Sequence, residues 1–273
     1  MSTEIEGLLI LGVMGEAPKL LPDERHAVIE TSISAAAGKP VVVGATHASV
    51  AGTGALARSA EDAGAAAVMI APPPLTGPTA DDVLVSFFTD SAEGLGIEIL
   101  LHDHPASSRV VLASEVVARI AAAAPQVRSI KLEDLPTPPK VSRIRADIPT
   151  MKVFGGSGGL FLLEELARGA NGTMTGFAFA EVLHEIWRAH RAGDADAAAA
   201  TFFRFLPLIR FEFQEGIGLA IRKELYVRRG LIDDAHVRAP AAPLDAETSR
   251  ELDRLLERLE LDPRALPPLY ASA

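Results

Sequence analysis

Apolar residues fall along this chain in seven short runs rather than in a steady alternation with polar ones. The runs are GLLILGV (7–13), PVVVGAT (40–46), AAVMIAP (66–72), IEILLHD (97–103), VRSIKLE (127–133), MKVFGGS (151–157) and GTMTGFAF (172–179). Runs this short and this continuously apolar predict strands buried on both faces, as in a parallel sheet. The segments between them have helical period: 21–38, 79–96, 113–124, 137–148, 160–170 and 180–190. The first has an acidic opening turn and a glycine where a C-cap belongs. In the third, Ser114 is placed to cap and Glu115 suits the positive helix start. The fourth carries its prolines in the first turn, where a missing N–H costs least.

Strand–helix units repeating at roughly 20 to 35 residues predict βαβ crossovers, hence a doubly wound sheet or a closed barrel. No Gly-x-Gly-x-x-Gly follows the first run, which favours a TIM (β/α)8-type barrel. Eight strands normally close that fold, and only seven runs are present, with Met1 just ahead of the first. The barrel is therefore expected to lack its first βα unit and to be open between 7–13 and 172–179. A version extended upstream by about 40 residues, the size of one such unit, is expected to be more stable. Beyond the runs, 195–232 and 244–261 are helical with a Pro/Ala-rich stretch between them, which predicts a C-terminal helical appendage. The expected division is residues 1–194 as the catalytic barrel and 195–273 as the helical region.

Composition narrows the function. No apolar stretch reaches about 18 residues, so a membrane span is not expected, and MSTEIEGLLILGV has neither the basic start nor the cleavage site of a secretory signal. The chain has no cysteine, which excludes disulfides, thiolate metal sites and a cysteine nucleophile and fits a cytoplasmic protein. A net charge of −10 without any basic block argues against nucleic acid as a partner. The expected partner is a small molecule.

In a barrel of this type chemistry sits at the C-terminal ends of the strands. The polar residues there are Gly12–Glu16, Thr46–His47, Pro72–Pro74, His102–His104, Lys131–Asp134, Gly155–Gly159 and Thr175. Lys131 is the most informative. An ammonium inside an apolar strand is costly unless paired or deprotonated, and a neutral amine is what attacks a ketone. The alternative is a structural pair with Glu133 or Glu16. The glycines of Gly12-Val13-Met14-Gly15-Glu16 would let backbone N–H groups approach an anion, or simply make a tight turn. His102 and His104, two apart on a strand, share a face. A metal site there needs a third ligand from Glu133 or Asp134. The glycine-rich 154–159 follows a strand but lacks a Walker lysine.

Taken in order, these motifs resemble the dihydrodipicolinate synthase / N-acetylneuraminate lyase superfamily, from about Gly7 to Leu261. Its G-x-x-G-E loop is matched by Gly12–Glu16, with Leu21-Pro22-Asp23-Glu24-Arg25 in the helix that follows. Its P-V-I-x-G strand is matched by Pro40–Gly44, and its T-P-Y-Y-type motif by Ala71-Pro72-Pro73-Pro74. Its Y-N-x-P motif is matched by His102-Asp103-His104-Pro105, its I-K-E lysine by Ile130-Lys131 with Glu133 one position late, and its G-A-x-G segment by Gly169-Ala170-Asn171-Gly172. The resemblance implies a barrel enzyme in which Lys131 forms a Schiff base with pyruvate or another 2-oxo acid, without a cofactor or metal, in a homo-oligomer, commonly a tetramer, a dimer being the other expectation.

The chain departs from that pattern at the hydroxyls. A first-loop threonine and two tyrosines form the family's proton relay, and Val13, Pro74 and His102 stand in their places. A threonine that helps to hold the pyruvate carboxylate is replaced by Met14. The resemblance therefore implies an aldolase or dehydratase rather than dihydrodipicolinate synthase itself. Lys131 and His102, the latter as proton shuttle, are the catalytic candidates. Gly12, Val13, Met14, Gly15, Gly156 and Met174 are the candidates for substrate binding. A catalytically inactive 2-oxo-acid-binding relative and a metal-dependent lyase or hydrolase using His102 and His104 are the other readings.

Overall fold

Each of the seven apolar runs contributes a strand to one all-parallel sheet in the computed structural model, which describes residues 5–73 and 80–265. The strands are β1 (Leu8–Ile10), β2 (Val41–Gly44), β3 (Ala67–Ile70), β4 (Glu98–Asp103), β5 (Val127–Leu132), β6 (Lys152–Gly155) and β7 (Gly172–Thr173). They pair in sequence order, each parallel to the next. Among the described residues β1 and β7 each have a single strand neighbour and do not pair with each other. The gap expected from seven runs is present.

Crossover helices return the chain from each strand to the start of the next, as parallel pairing requires. They are α1 (Pro22–Ala35), α2 (Val50–Asp62), α3 (Asp81–Ala92), the single turn α4 (Pro105–Ser108), α5 (Ser114–Ala123), α6 (Thr137–Asp147) and α7 (Leu162–Ala167). Sequence periodicity missed α2, whose buried face consists of the small residues Thr53, Gly54, Ala57 and Ala60. Ser114 is the first residue of α5 rather than its cap, and Ala113 occupies the capping position. Pro138 and Pro139 lie in the first turn of α6 as expected.

Two compact units emerge. One comprises Glu6–Gly156 with Ala167–Met174 and holds the whole sheet. Its core is Val43, Val68, Ile70, Ile99, Leu101, Ile130, Leu132 and Val153 from the strands, packed with Phe88, Val117, Ile120 and Ile144 from the helices. Strands buried on both faces explain why the runs show no alternation. The other unit comprises, among the described residues, Ile5, Ser157–Leu166 and residues 175–265. It contains α8 (Ala180–Arg191), α9 (Ala195–Glu212), α10 (Gly218–Arg228) and α11 (Ala246–Arg258).

The run 172–179 is only partly a strand. The strand ends at Thr173, with one further ladder bond from the Met174 N–H to the Gly155 carbonyl, and Phe177 and Phe179 pack in the core of the helical unit with Val182, Phe205 and Ile221. A continuous apolar run cannot distinguish a buried strand from a segment that is simply buried. The glycines at 172 and 176 also weaken strand pairing there.

Candidate active site

Parallel register and two-residue alternation assemble the site from the ends of β4 and β5. His102 is the register partner of Lys131 on the neighbouring strand. The Glu133 N–H donates to the Asp103 carbonyl at 2.8 Å, carrying the ladder one residue beyond the strand. Side chains two apart share a face, so Lys131 and Glu133 on one strand meet His102 and His104 on the other.

Glu133 is the centre of this cluster. Its Oε2 lies 2.7 Å from Lys131 Nζ and 2.7 Å from His102 Nε2. The three side chains are 13%, 10% and 3% exposed respectively, so water competes little for these contacts. Burial alone would raise the Glu133 carboxyl. The Lys131 ammonium and the hydrogen bond from His102 outweigh that and hold it well below the usual carboxylate range. Burial pushes His102 down to about 4, against the opposing effect of its Glu133 bond. An ionised carboxylate facing a neutral imidazole fixes the tautomer: Nε2–H donates to Glu133, leaving the lone pair on Nδ1. The His102 and His104 rings stack, with centroids 5.2 Å apart and planes at 12°. His104 Nδ1 lies 2.7 Å from Ser107 Oγ, whose hydroxyl reaches the His104 carbonyl at 3.2 Å.

The opposite face of the same strand ends carries a second charged group. Asp103 is fully buried, and its Oδ2 lies 2.6 Å from Lys140 Nζ, a close ion pair without a well-directed hydrogen bond. Lys140, from the first turns of α6, also donates to Asp134 Oδ2 at 2.8 Å. Burial pushes Asp103 up to about 6, with Lys140 opposing the rise. Lys140 thus ties α6 to the ends of β4 and β5 directly behind the histidines.

Gly156 packs directly against the Glu133 side chain. A Cβ there would stand 2.4 Å from Glu133 Oε1 and 2.5 Å from its Cγ and Cδ. Only glycine admits the glutamate in its observed position. The first loop is a 3-10 turn over Val13–Gly15, in which the Gly15 N–H donates to the Gly12 carbonyl at 3.0 Å. That bond occupies one of the amides expected to face an anion. Val13 and Met14, at the start of the turn, have N–H groups that helix geometry leaves without an internal acceptor. Met174 follows β7 and donates its N–H to the Gly155 carbonyl at 2.9 Å.

Lys131, His102 and Gly156 therefore converge on Glu133. Gly12, Val13, Met14, Gly15 and Met174 share with them the C-terminal edge of the sheet. Pro74, the third position at which the resemblance implies a lost hydroxyl, lies outside the described residues. The third ligand that a metal reading needs is Glu133: its carboxylate and the ring nitrogens of His102 and His104 lie within 4.8 Å of one another. Asp134 points instead to Lys140. Sequence reasoning noted Glu133 as a partner of Lys131 but left it out of the site. Its spacing of two from the lysine was the available signal, because residues so spaced share a face.

Residues 1–259 match the model of the Dihydrodipicolinate synthetase family. An L-2-keto-3-deoxyarabonate dehydratase of Azospirillum brasilense is 31% identical over 264 residues, covering 93% of this chain and 84% of the relative. A 4-hydroxy-tetrahydrodipicolinate synthase of Chlorobium chlorochromatii is 28% identical over 259 residues, covering 92% and 84%. Among solved structures, dihydrodipicolinate synthase from Rhodopseudomonas palustris superposes with a TM-score of 0.89 at 36% identity, covering 94% of this chain and 87% of that one. A match over nearly the whole sequence, on a shared fold, places this chain in the dihydrodipicolinate synthetase family.

Proposed function

We propose that the protein is a Schiff-base lyase, an aldolase or dehydratase that binds pyruvate or a longer 2-oxo acid on Lys131. The family supplies lyase chemistry, and one observation carries the assignment to residues: the Lys131 amine and the His102 ring share a single, ionised carboxylate oxygen of Glu133. The amine attacks the C2 carbonyl to give a carbinolamine, which loses water to form the iminium. The iminium nitrogen then accepts the electron pair released when a proton leaves C3, giving an enamine. For a dehydratase the enamine then expels the C4 hydroxyl as water; for an aldolase the iminium instead loses its C4 hydroxyl proton, the C3–C4 bond breaks, and a carbonyl compound leaves while the enamine stays on Lys131.

Each proton transfer needs a group within reach. Glu133 stays ionised and orients the Lys131 nitrogen and the His102 ring, while the proton that Lys131 must lose before attack passes to solvent. His102, in the position of a relay tyrosine, offers its Nδ1 lone pair as base and then returns the proton as acid. The substrate carboxylate is assigned to the Val13 and Met14 amides of the first loop, with Gly156 and Met174 lining the same sheet edge. Val13 and His102 replace two hydroxyl-bearing residues, and the Azospirillum brasilense relative is named for dehydration of a 2-keto-3-deoxy sugar acid. Both points favour a dehydratase or aldolase of such an acid over condensation with an aspartate-derived aldehyde.

Borohydride reduction in the presence of a panel of 2-oxo acids, read by intact mass, tests the reading. Wild type is expected to gain one reduced ligand and Lys131→Ala none. Absence of any adduct across the panel would leave the inactive-relative reading in its place.

A further inference from the structure

The lysine and His102 together account for imine chemistry, yet the site holds a second imidazole that this chemistry does not use. His104 stacks on His102 and shares its face at the strand end. We infer that His102, His104 and Glu133 form a binding site for a first-row divalent cation, Zn2+ foremost, and that this cation and Lys131 exclude each other because both require the Glu133 carboxylate. The exclusion half rests on the reading of Glu133 as the partner of the reactive lysine.

Three geometric facts support it. First, the nitrogen and oxygen donors already lie within 4.8 Å of one another. A tetrahedral ion with bonds of about 2.0–2.1 Å needs its ligand atoms roughly 3.3 Å apart. The His102 Nε2 to Glu133 Oε2 separation therefore opens from 2.7 Å to admit the ion, and His104, less buried than His102, swings inward. Second, His104 is held by its outer nitrogen. When the Ser107 hydroxyl donates to the His104 carbonyl, Nδ1–H of the ring donates to Ser107, and the Nε2 lone pair is left for a metal. Third, Glu133 already binds a cation, since the Lys131 ammonium sits 2.7 Å from the oxygen in question. Replacing one cation by another leaves the buried carboxylate compensated throughout.

Two imidazoles and one carboxylate make a borderline donor set that selects Zn2+, Co2+ or Ni2+ over Mg2+ and Ca2+. Three protein ligands also leave a fourth position for water. Binding is a ligand exchange: His102 gives up its Nε2 proton to Nδ1 or to solvent, and Lys131 retains its ammonium while losing its carboxylate.

The test uses the whole chain, stripped by chelator dialysis and titrated with Co2+ in the absence of any 2-oxo acid. A visible absorption band saturating at one Co2+ per chain is expected, with competition by Zn2+ and none by Mg2+. His104→Gln and Glu133→Gln should each weaken binding at least about ten-fold, comparable to what removal of a supporting residue costs a metal site. Lys131→Ala should tighten it about ten-fold or more, because a like charge near contact distance is removed. In wild type, Zn2+ should suppress borohydride trapping of pyruvate, and a chelator should restore it. Failure of Co2+ to bind with unit stoichiometry, or binding indifferent to His104→Gln, overturns the site. Weaker binding in Lys131→Ala overturns the exclusion. If no 2-oxo acid is ever trapped but the titrations behave as stated, the lyase reading fails and the cation site stands.

Discussion

Gly156→Ala isolates the contribution of Glu133 without removing any ionisable group. The added methyl carbon would sit 2.4–2.5 Å from three consecutive atoms of the Glu133 side chain, whereas ordinary contact begins at 3.4 Å. Because Cγ is among them, rotation of the carboxylate alone cannot relieve the overlap, and the side chain must retreat by about 1 Å. The 2.7 Å contacts to Lys131 and His102 then lengthen beyond hydrogen-bond range. Backbone strain does not confuse the result, since Gly156 is not among the residues of positive φ. Replacing such a glycine lowers the entropy of the unfolded chain and is worth about 0.4–1 kcal/mol of stability, which offsets part of the lost pairing. A displacement of this size in a reacting constellation costs on the order of 100-fold in rate. Quenched-flow borohydride trapping with pyruvate should therefore slow by roughly that factor, while the urea midpoint moves little. Glu133→Ala should slow trapping similarly, and the double variant should be no slower than Glu133→Ala alone, because both changes act through one side chain. Wild-type trapping rates in Gly156→Ala, or additive losses in the double variant, would refute the role given to Glu133.

Lys140→Met should destabilise the fold by about 3 kcal/mol in urea unfolding, because it leaves Asp103 buried without its cation; adding Asp103→Asn should recover much of that loss, and no recovery would show that the pair is not the cause. In the helical unit, burial pushes Glu212 up to about 7 despite Arg222 at 2.5 Å and two contacts from the Ala178 N–H at 3.0 Å. A folded value above the unfolded one means that the native state holds the proton more tightly. Stability from this group is thus complete below about pH 4.5 and lost as pH rises through 7, by roughly 3 kcal/mol at most. Urea midpoints across pH 5 to 8 should fall in wild type and flatten in Glu212→Gln, and an equal slope in both would remove Glu212 as the origin. A coupled assay with pyruvate and aspartate semialdehyde should give negligible turnover on the proposal that Val13, Pro74 and His102 stand where the family carries relay hydroxyls; robust turnover would refute that proposal.

Features governed by local pattern were legible in the sequence, and features governed by long-range contact were not. The seven strands could be read because burial on both faces leaves an unbroken Val/Ile/Leu signature, and Lys131 stood out because it interrupts one. Helix α2 escaped because its buried face consists of the small residues Thr53, Gly54, Ala57 and Ala60, with no large apolar side chain to mark the period. The end of β7 escaped because burial against helices and burial in a sheet use the same residues. Glu133 was visible as a neighbour, but its choice between Lys131 and other cations depended on register. Lys140 gave no signal at all: a lysine in the first turns of a helix is ordinarily solvated, and only the fold brings it against Asp103 and Asp134. The buried Glu212–Arg222 pair was hidden for the same reason, its members lying on α9 and α10.

The tripeptide His102-Asp103-His104 shows how one strand end serves two purposes. Alternation sends its imidazoles to one face and its carboxylate to the other. On the first face the chain sets an imidazole and an ionised carboxylate next to the lysine, where resemblance to the family leads one to expect relay hydroxyls. Hydroxyls transfer protons only as links in a chain, because none of them ionises near neutral pH, whereas an imidazole with a fixed tautomer presents its Nδ1 lone pair directly, and the ionised carboxylate holds that ring in place. Such a pair costs more to maintain, since a buried carboxylate tolerates little displacement from its cations. On the second face Asp103 and Lys140 supply the rigidity that this demands, fixing α6 and both strand ends to one another. A site centred on a buried carboxylate should therefore depend steeply on its supporting ion pair, and Lys140→Met should slow trapping as well as lower stability. Loss of stability with trapping rates unchanged in the folded fraction would separate the two faces and remove Lys140 from the function.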